Sequence, residues 1–257
     1  MLRFCSLASG SSGNATLLEA GDGHHRTRLL VDCGLGWRQL HQRLARVDLV
    51  PEQLDGIFIT HEHGDHVGCV AQVSQRYRVP VWTSAGTLQA LEKTQVLPLA
   101  RQALDGVPIA VNGMEITPFT VPHDAREPLQ LTCTDGNRKL GIATDLGHAT
   151  PHVLARLAGC DALMLESNHD PELLARSRYP DFLKQRISGL LGHLSNGQAM
   201  QVLRSVAHGR LGIVVAAHLS ERNNDPRQVQ RQFAAALDRS ADDVFVSGRN
   251  GLDWLPA

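Results

Sequence analysis

The sequence predicts a layered α/β protein with β-sheets inside and helices outside. Short apolar runs of strand length alternate with helical segments, and turns rich in Gly, Ser and Asp separate them. The second half of the chain repeats this alternation, and no long linker or low-complexity tract separates the halves. We therefore expect a single domain that covers residues 1–257, because each sheet needs a packing partner for its apolar face.

The first half opens on three strands, predicted at 3–7, 15–20 and 28–32 because each is an apolar run bounded by turn residues. A helix is expected over 37–47. Apolar runs at 56–60 and 79–83 are typical of buried strands, and the segment between them predicts a helix over 67–78. Ser84 is the predicted N-cap of a helix that runs to about residue 94.

The second half contains a hairpin, because Asp135-Gly136-Asn137 is a turn sequence between two apolar runs. The predicted strands of this half lie at 107–111, 115–121, 129–134, 139–144, 162–166, 211–217 and 243–247. Helices are expected at 151–157 and 226–237, and two more between 180 and 208.

The composition is that of an ordinary globular protein, with 42% hydrophobic and 20% charged residues. No apolar run is long enough for a membrane span, and the N-terminal segment lacks the apolar region of a signal peptide. The five cysteines are scattered and form no CxxC pair, which argues against a disulfide framework and favours the cytoplasm. The sequence leaves the oligomeric state open.

The formal net charge of −1 excludes a strong overall basic field. It weakens the expectation of a nucleic-acid substrate without excluding it, because a local basic groove can exist in a neutral total.

One segment carries most of the chemistry, and it begins where the apolar strand 57–59 ends: Thr60-His61-Glu62-His63-Gly64-Asp65-His66. Four possible ligands within six residues are too dense for ordinary packing, although a polar surface turn is the alternative. A turn here can direct His61 and His63 to one metal ion and Asp65 and His66 to a second, with Gly64 relaxing the backbone. Mixed imidazole and carboxylate ligands suit zinc, manganese or iron.

Three further residues follow the ends of predicted strands: His123, Asp145 and His218. Taken singly, each could equally be a capping aspartate or a buried structural histidine. Loops at strand ends usually carry the site residues of a rigid scaffold. Together with the dense segment, the three residues complete the ligand set of a two-metal site.

In this order and approximate spacing, the seven residues resemble the metallo-β-lactamase superfamily. The resemblance runs through nearly the whole chain, and it implies a four-layer αββα sandwich with the site at one edge of the sheets. It also implies how the ligands divide between the ions: His61, His63 and His123 bind one, Asp65, His66 and His218 bind the other, and Asp145 bridges both.

Finer features, at 7–14, 166–170, 192–196 and 218–224, resemble the YycJ-like (WalJ-like) exonuclease group. This resemblance implies a double-stranded DNA exonuclease with 5′ to 3′ polarity and two divalent ions, Zn²⁺ or Mn²⁺. The chain has no room for the inserted domain of the larger RNA-cleaving relatives, and it lacks an obvious arm like that of ribonuclease Z. Both absences favour DNA over RNA as the partner.

The chemistry expected is hydrolysis of a phosphodiester. Two ions about 3.5–4 Å apart can hold a bridging hydroxide as the nucleophile and polarise the phosphate oxygens. His193 is the candidate general acid, and Glu166 can orient it and stabilise its charge. A similar pair in ribonuclease Z implies the same roles. Asp65 is a further candidate catalytic residue. The alternative is that His193 only caps the helix that begins at Ser195.

Substrate contacts are expected from four residues that can donate hydrogen bonds to phosphate oxygens, although they could also be ordinary turn residues: Asn14, Ser220, Asn223 and Asn224. Candidates for contacts to backbone phosphates are Arg126, Arg178, Lys184, Arg186, Arg222 and Arg227. Five further histidines in turns or on helical surfaces are expected to be structural: His24, His25, His41, His152 and His208. His148 and His169 lie near the site loops, and both a structural and a functional role stay open for them.

A hydrolase of a small molecule is the competing function, with a cyclic phosphodiester, a thioester or a lactone as its substrate. The metal ligands suit both functions. The pairing of Glu166 with His193 favours a phosphate ester, whereas the near-neutral charge slightly favours the small molecule.

Overall fold

A computed structural model describes residues 1–21, 25–92 and 97–257. His24 and the predicted helix end near Thr94 lie outside the described residues. Two mixed β-sheets, seven strands each, form the centre of the described part. No helix within the described ranges is both long enough and apolar enough to cross a bilayer.

The first sheet has the strand order β14-β1-β2-β3-β4-β5-β6. Its strands are β1 (Leu2–Ala8), β2 (Ala15–Gly21), β3 (Arg26–Val31), β4 (Gly56–Phe58), β5 (Val81–Thr83), β6 (Ala100–Gln102) and β14 (Leu252–Pro256). The pairs among β14, β1, β2 and β3 are antiparallel, and those from β3 to β6 are parallel.

The second sheet has the order β13-β12-β11-β10-β9-β8-β7. Its strands are β7 (Ile109–Val111), β8 (Met114–Thr120), β9 (Leu129–Thr134), β10 (Lys139–Ala143), β11 (Ala162–Glu166), β12 (Ile213–Ala217) and β13 (Val244–Val246). The pairs from β7 to β10 are antiparallel, and those from β10 to β13 are parallel.

The α-helices connect the strands: α1 (Trp37–Ala45), α2 (Gly64–Val67), α3 (Val70–Tyr77), α4 (Ala85–Leu91), α5 (Pro151–Leu157), α6 (Pro171–Arg176), α7 (Asp181–Ser188), α8 (Asn196–Val206) and α9 (Pro226–Leu237). Their ends follow capping chemistry. Ser84 accepts a hydrogen bond from Thr87 N, as predicted, and Ser195 forms a capping box with Gln198 at the start of α8.

The core consists of three buried hydrophobic clusters, one between each pair of neighbouring layers. Between the sheets, Phe4 and Leu18 of the first sheet belong to the same buried cluster as Met164 and Val215 of the second. A second cluster, which includes Leu40 of α1, covers the outer face of the first sheet. A third lies under α5, α8 and α9 on the outer face of the second. This arrangement is the expected four-layer αββα sandwich.

Four elements were not predicted from the sequence: α2, β6, α6 and β14. β6 and β14 lie at the edges of the first sheet, and their residues are mostly half-buried or exposed, so they lack the apolar pattern of a buried strand. The predicted helix over 67–78 corresponds to α3, and only its first residue, Val67, belongs to α2. Gly68 separates the two helices with φ +22°, and a Cβ there would lie 2.6 Å from the carbonyl oxygen of Cys33.

Parallel strands place their carboxyl ends at one edge of each sheet, and this determines where the polar residues gather. The loops after β4, β10, β11 and β12 leave the sheets at such ends. Site residues on these loops therefore lie close together although they are far apart in the sequence.

Candidate metal centre

The dense histidine segment spans the end of β4 and the short helix α2. His61 is buried after the strand, and His63 is the N-cap residue of α2, so Asp65 and His66 lie in the helix. Gly64 is the first residue of α2 and has no left-handed φ. The expectation that Gly64 relaxes a turn is wrong, because a helical conformation here is open to any residue.

The first ligand cluster consists of His61, His63 and His123. His63 Nδ1 lies 3.0 Å from His61 Nε2 and 3.3 Å from His123 Nε2. Donor atoms bound to a tetrahedral zinc ion at about 2.0–2.1 Å lie roughly 3.3 Å from one another. The spacing of the three nitrogens is therefore that of ligands around one ion.

The second cluster consists of Asp65, His66 and His218, whose potential ligand atoms lie within 4.8 Å of one another. Asp65 Oδ2 is 3.6 Å from His66 Nε2 and 3.7 Å from His218 Nε2. Asn14 also supports this cluster, because its Nδ2 lies 3.3 Å from Asp65 Oδ2 and 3.1 Å from His66 Nε2.

Asp145 lies between the two clusters, as a bridging ligand would. Its Oδ2 is 3.3 Å from His66 Nε2, and it also forms a potential ligand group with His61 and His66. Asp145 Oδ2 and His218 Nε2 are both buried, and neither has a hydrogen-bond partner among the residues that the structure describes. Buried polar atoms without partners are unfavourable, so these two atoms face a position that a cation would stabilise.

The ring nitrogens that point away from the centre contact acceptors. His66 Nδ1 lies 2.7 Å from Asp32 Oδ2, and His123 Nδ1 lies 3.1 Å from the carbonyl oxygen of Gly192. His218 Nδ1 lies 3.0 Å from Glu166 Oε1. An acceptor on one ring nitrogen fixes its hydrogen there and leaves the other nitrogen free as a metal ligand. The donor set thus fits divalent ions.

Glu166 is fully buried at the end of β11 and joins two histidines. Its Oε1 lies 2.8 Å from His193 Nδ1 and 3.0 Å from His218 Nδ1. Its Oε2 accepts hydrogen bonds from Leu146 N and Leu194 N. Because both oxygens are already used, Glu166 fits a residue that orients the two imidazoles better than a direct metal ligand.

His193 lies on the loop before α8 and lines the cavity beside the clusters. Burial lowers the pKa of His193, but the Glu166 carboxylate outweighs burial and raises it above the ordinary value. Burial acts to raise the pKa of Glu166, but the neighbouring His193 outweighs burial and holds the pKa of Glu166 well below the usual range. The N-cap of α8 is Ser195, so capping does not account for His193.

Electrostatics divide the imidazoles of the metal-free centre. Burial and the neighbouring histidines lower the pKa of His61, and burial lowers that of His123. Burial also lowers the pKa of His66, but Asp32 and Asp145 outweigh it and raise it to about 9. Nearby carboxylates therefore favour the protonated imidazole at His66, whereas burial favours the neutral imidazole at His61 and His123.

Three of these residues have a left-handed backbone: Asp32, Asp145 and His218, with φ of 60°, 56° and 53°. Asp32 and His218 directly follow a strand, and Asp145 is the second residue after the end of β10. None of the three is glycine. Such a conformation is uncommon and is kept where the surrounding structure over-determines it, often at functional sites. The scaffold therefore places these side chains at a cost in local strain.

A cavity of about 420 Å³ opens beside the clusters. Its walls include Asp65, Asp145, His193 and His218 on the side of the clusters. A second part of the lining comes from the segment around α7: Tyr179, Leu183, Arg186 and Ile187. A substrate in this cavity would therefore lie near both the clusters and α7.

The comparisons with known proteins agree with this geometry. A sequence model of the beta-lactamase superfamily domain matches residues 27–218. The chain is 33% identical to exodeoxyribonuclease YycJ of Bacillus anthracis, over 92% of this chain and 89% of that protein. It is 32% identical to exodeoxyribonuclease WalJ of Streptococcus pneumoniae, over 86% and 83%.

The chain belongs to the metallo-β-lactamase superfamily. Within it, the chain groups with YycJ-like proteins, and it is a metal-dependent hydrolase. Among solved structures, the metallo-β-lactamase fold protein YhfI of Bacillus subtilis superposes with a TM-score of 0.74, at 15% identity and 99% coverage of both chains. This likeness bears on the fold alone.

The substrate-contact residues predicted from the sequence lie in different places around this metallo-β-lactamase site. Ser220 lines the cavity. Asn14 is buried against Asp65 and His66, and Asn223 is fully buried. Asn224 Nδ2 donates to the carbonyl oxygens of residues 167 and 168 and to Asn196 Oδ1. Asn224 therefore links loops of the scaffold. The expectation that it donates to a phosphate is wrong, because acceptors within the protein already bind its amide hydrogens.

Two residues near the metallo-β-lactamase site were not found from the sequence. Asp32 follows the apolar run at the end of β3, the same signal that marked the other strand-end ligands, so the sequence held a usable indication. Tyr179 lines the cavity but lies between short helices with no periodic pattern, and only the fold brings it there. Of the basic candidates, Arg186 lines the cavity, and its Nε lies 2.6 Å from Asp124 Oδ2.

Proposed function

We propose that this chain is a two-metal phosphodiesterase that removes nucleotides from an end of double-stranded DNA, working 5′ to 3′. His61, His63 and His123 would hold one ion, Asp65, His66 and His218 the other, and Asp145 both. Zn²⁺ and Mn²⁺ both suit these ligands. The five buried free cysteines are consistent with a cytoplasmic location.

Divalent ions at this centre would polarise the phosphate oxygens and lower the pKa of a bound water, so that a nucleophile exists at neutral pH. The chain's own residues supply the rest. Asp32, Glu166 and Gly192 orient the ligand imidazoles through their outer nitrogens. Asn14 holds the Asp65 carboxylate beside His66.

The observation that carries the proposal is the hydrogen bond between Glu166 and His193 at the cavity wall. A carboxylate at Nδ1 stabilises the protonated imidazole and leaves its Nε2 hydrogen free to point at a substrate. The alkoxide that leaves from a phosphodiester is a poor leaving group and needs such a proton. Metal ligands alone would suit many hydrolases, whereas a positioned proton donor suits a phosphate ester.

Two relatives support DNA as the substrate, since both carry the name exodeoxyribonuclease and match most of this chain. Arg186 adds a cation at the cavity that a phosphate oxygen could reach, and its Nε donates a hydrogen bond to Asp124. The small cavity and the net charge of −1 keep the small-molecule hydrolase as the competing candidate.

One assay separates these functions. Protein reconstituted with Zn²⁺ or Mn²⁺ is incubated with DNA labelled at either the 5′ or the 3′ end, in single- and double-stranded form, and with RNA. We expect mononucleotides to be released from duplex DNA, with the 5′ label released first, and activity to be lost with a chelator. Faster turnover of a thioester, a lactone or a cyclic phosphodiester than of DNA would contradict the proposal.

A further inference from the structure

The helix α7 presents exposed and half-buried apolar side chains beside the cavity. None of its residues is buried. Tyr179, Leu183 and Ile187, spaced by four residues, line the cavity. Phe182, one helical turn before Arg186, is 71% exposed. Further along, Leu190 and Leu191 are 74% and 52% exposed.

The backbone around this surface is held firmly to the catalytic loops. Asp124 N donates to the carbonyl oxygen of Leu191, and His123 Nδ1 faces that of Gly192. His193 N donates to the carbonyl oxygen of Ile187 at the end of the helix. The exposed side chains therefore stand on a platform fixed to the metal ligands, which is how a binding surface is pre-organised.

Cationic and aromatic side chains lie near one another on this platform. Arg186 and Tyr179 form part of the cavity wall, and the exposed Phe182 lies one helical turn before Arg186. Surfaces that bind nucleic-acid strands combine cations for the phosphates with aromatic rings for the faces of the bases. Each nucleotide beside a phosphodiester carries its base on the sugar. When the phosphate lies in the cavity, such a base therefore lies within reach of the surface next to it.

We infer that Phe182 and Tyr179 form a stacking wall for the bases of the terminal nucleotides, and that Arg186 contacts a phosphate beside them. The inference rests on the proposed DNA end as substrate and names the residues that would hold it. The occupant is a nucleic-acid end, because the apolar face continues directly into the cavity that holds the catalytic cluster. A second copy of the chain is the alternative occupant.

The test uses the metal-reconstituted full chain with Phe182→Ala, Phe182→Trp and Val107→Ala. Val107 is 49% exposed and precedes β7 in the other half of the chain, so its variant controls for the loss of an exposed apolar side chain. Each protein is assayed on a duplex with an intact end and on one whose terminal nucleotides lack bases. The measured quantity is KM for the two ends, with kcat recorded beside it.

Removing a stacking ring weakens the binding of each base by roughly 5- to 100-fold. We therefore expect Phe182→Ala to raise KM on the intact end by about that factor and to change KM much less on the abasic end. Phe182→Trp should restore the preference for the intact end, and Val107→Ala should keep it.

Equal effects of Phe182→Ala on both ends would overturn the inference. So would an unaltered KM on DNA together with a lower sedimentation coefficient, which would assign this face to contact between copies. Wild-type protein that releases no nucleotide from DNA would instead overturn the proposed function, and the inference with it.

Discussion

At the scale of single residues, the proposed metal ligands are held by groups that are not themselves proposed ligands. His66 is held by Asp32, and His218 and His193 share Glu166. An imidazole ring fixed by an acceptor on one nitrogen presents the other nitrogen in one direction, so each partner sets both the tautomer and the orientation of a ligand. Substitutions at these partners can therefore show whether a residue acts in binding the metal or in the catalytic step.

The role of His193 can be tested through the leaving group. We expect His193→Ala to keep its metal ions and to lose activity on DNA by about 10²–10⁴-fold, the usual contribution of a general acid. The loss should be much smaller with bis(p-nitrophenyl) phosphate, because p-nitrophenolate leaves without protonation. Rates on both substrates and the metal content of the same sample are the measurement. Equal losses, or a missing ion, would make His193 a ligand or a scaffold residue.

Asp32 should control the affinity of the second ion. Removing a carboxylate that orients a ligand histidine typically weakens metal binding by about 10- to 100-fold. We expect that loss for Asp32→Ala in titrations with buffered Zn²⁺, while the first ion still binds. Asp253→Ala, at an exposed position in β14, serves as the control. An unchanged affinity would show that Thr60, which also binds Asp32, is its only functional partner.

The buried thiols predict a dependence of stability on pH. Burial raises the pKa of Cys5 and Cys133 to about 12, against about 8.5 in an unfolded chain. The unfolded chain releases these protons first, so this contribution is complete below about pH 8.5 and falls as pH rises toward about 12. Urea midpoints at pH 7.5 and pH 10 measure it. Cys133→Ala should lessen the difference between them, and an equal difference would contradict the assignment.

At the scale of elements, the short helix α2 positions the ligands because the loop before β2 and the loop after β3 approach it closely. Asn14 N and Cys33 N donate to the carbonyl oxygens of Asp65 and His66. A Cβ on Gly34 would lie only 1.7 Å from the Asp65 carbonyl oxygen. A glycine is therefore required at this contact between backbones, for reasons of space rather than of conformation.

Two glycine variants test this contact. Gly34→Ala must displace α2, so we expect a lower melting temperature and weaker metal binding. Gly64→Ala is the matched control, because a Cβ there meets nothing within 4 Å, and alanine in a helix is favoured over glycine by up to about 1 kcal/mol. Thermal unfolding of both variants, with and without Zn²⁺, is the measurement. Equal stability of the two would contradict the proposed contact.

At the scale of the whole molecule, the two sheets share one buried cluster and jointly supply the ligands. His61 follows a strand of the first sheet, whereas His123, Asp145 and His218 follow strands of the second. Separating the sheets would expose the shared core and dismantle the centre. We therefore propose that residues 1–257 form a single cooperative domain.

Cooperative unfolding is the expected result. Fluorescence of the three tryptophans reports on the first sheet, because Trp82 and Trp254 lie in its strands and Trp37 begins α1, which packs against it. Far-ultraviolet circular dichroism reports on all strands and helices. In metal-free protein both signals should change at one urea concentration, as in two-state unfolding. A separate, earlier transition in either signal would show two independently stable halves.

The sequence by itself determined the αββα class and most strands, and it marked the candidate metal ligands, because these depend on local patterns. Strand periodicity, capping residues and the density of His61, His63, Asp65 and His66 lie within short windows. Only the tertiary structure decided which partners hold the ligands. Asp32 contacts His66 over 34 positions and Glu166 contacts His218 over 52, and no local pattern encodes such distances. The same reason placed Asn224 in the scaffold and Tyr179 at the cavity, since contacts between loops depend on how the sheets pack.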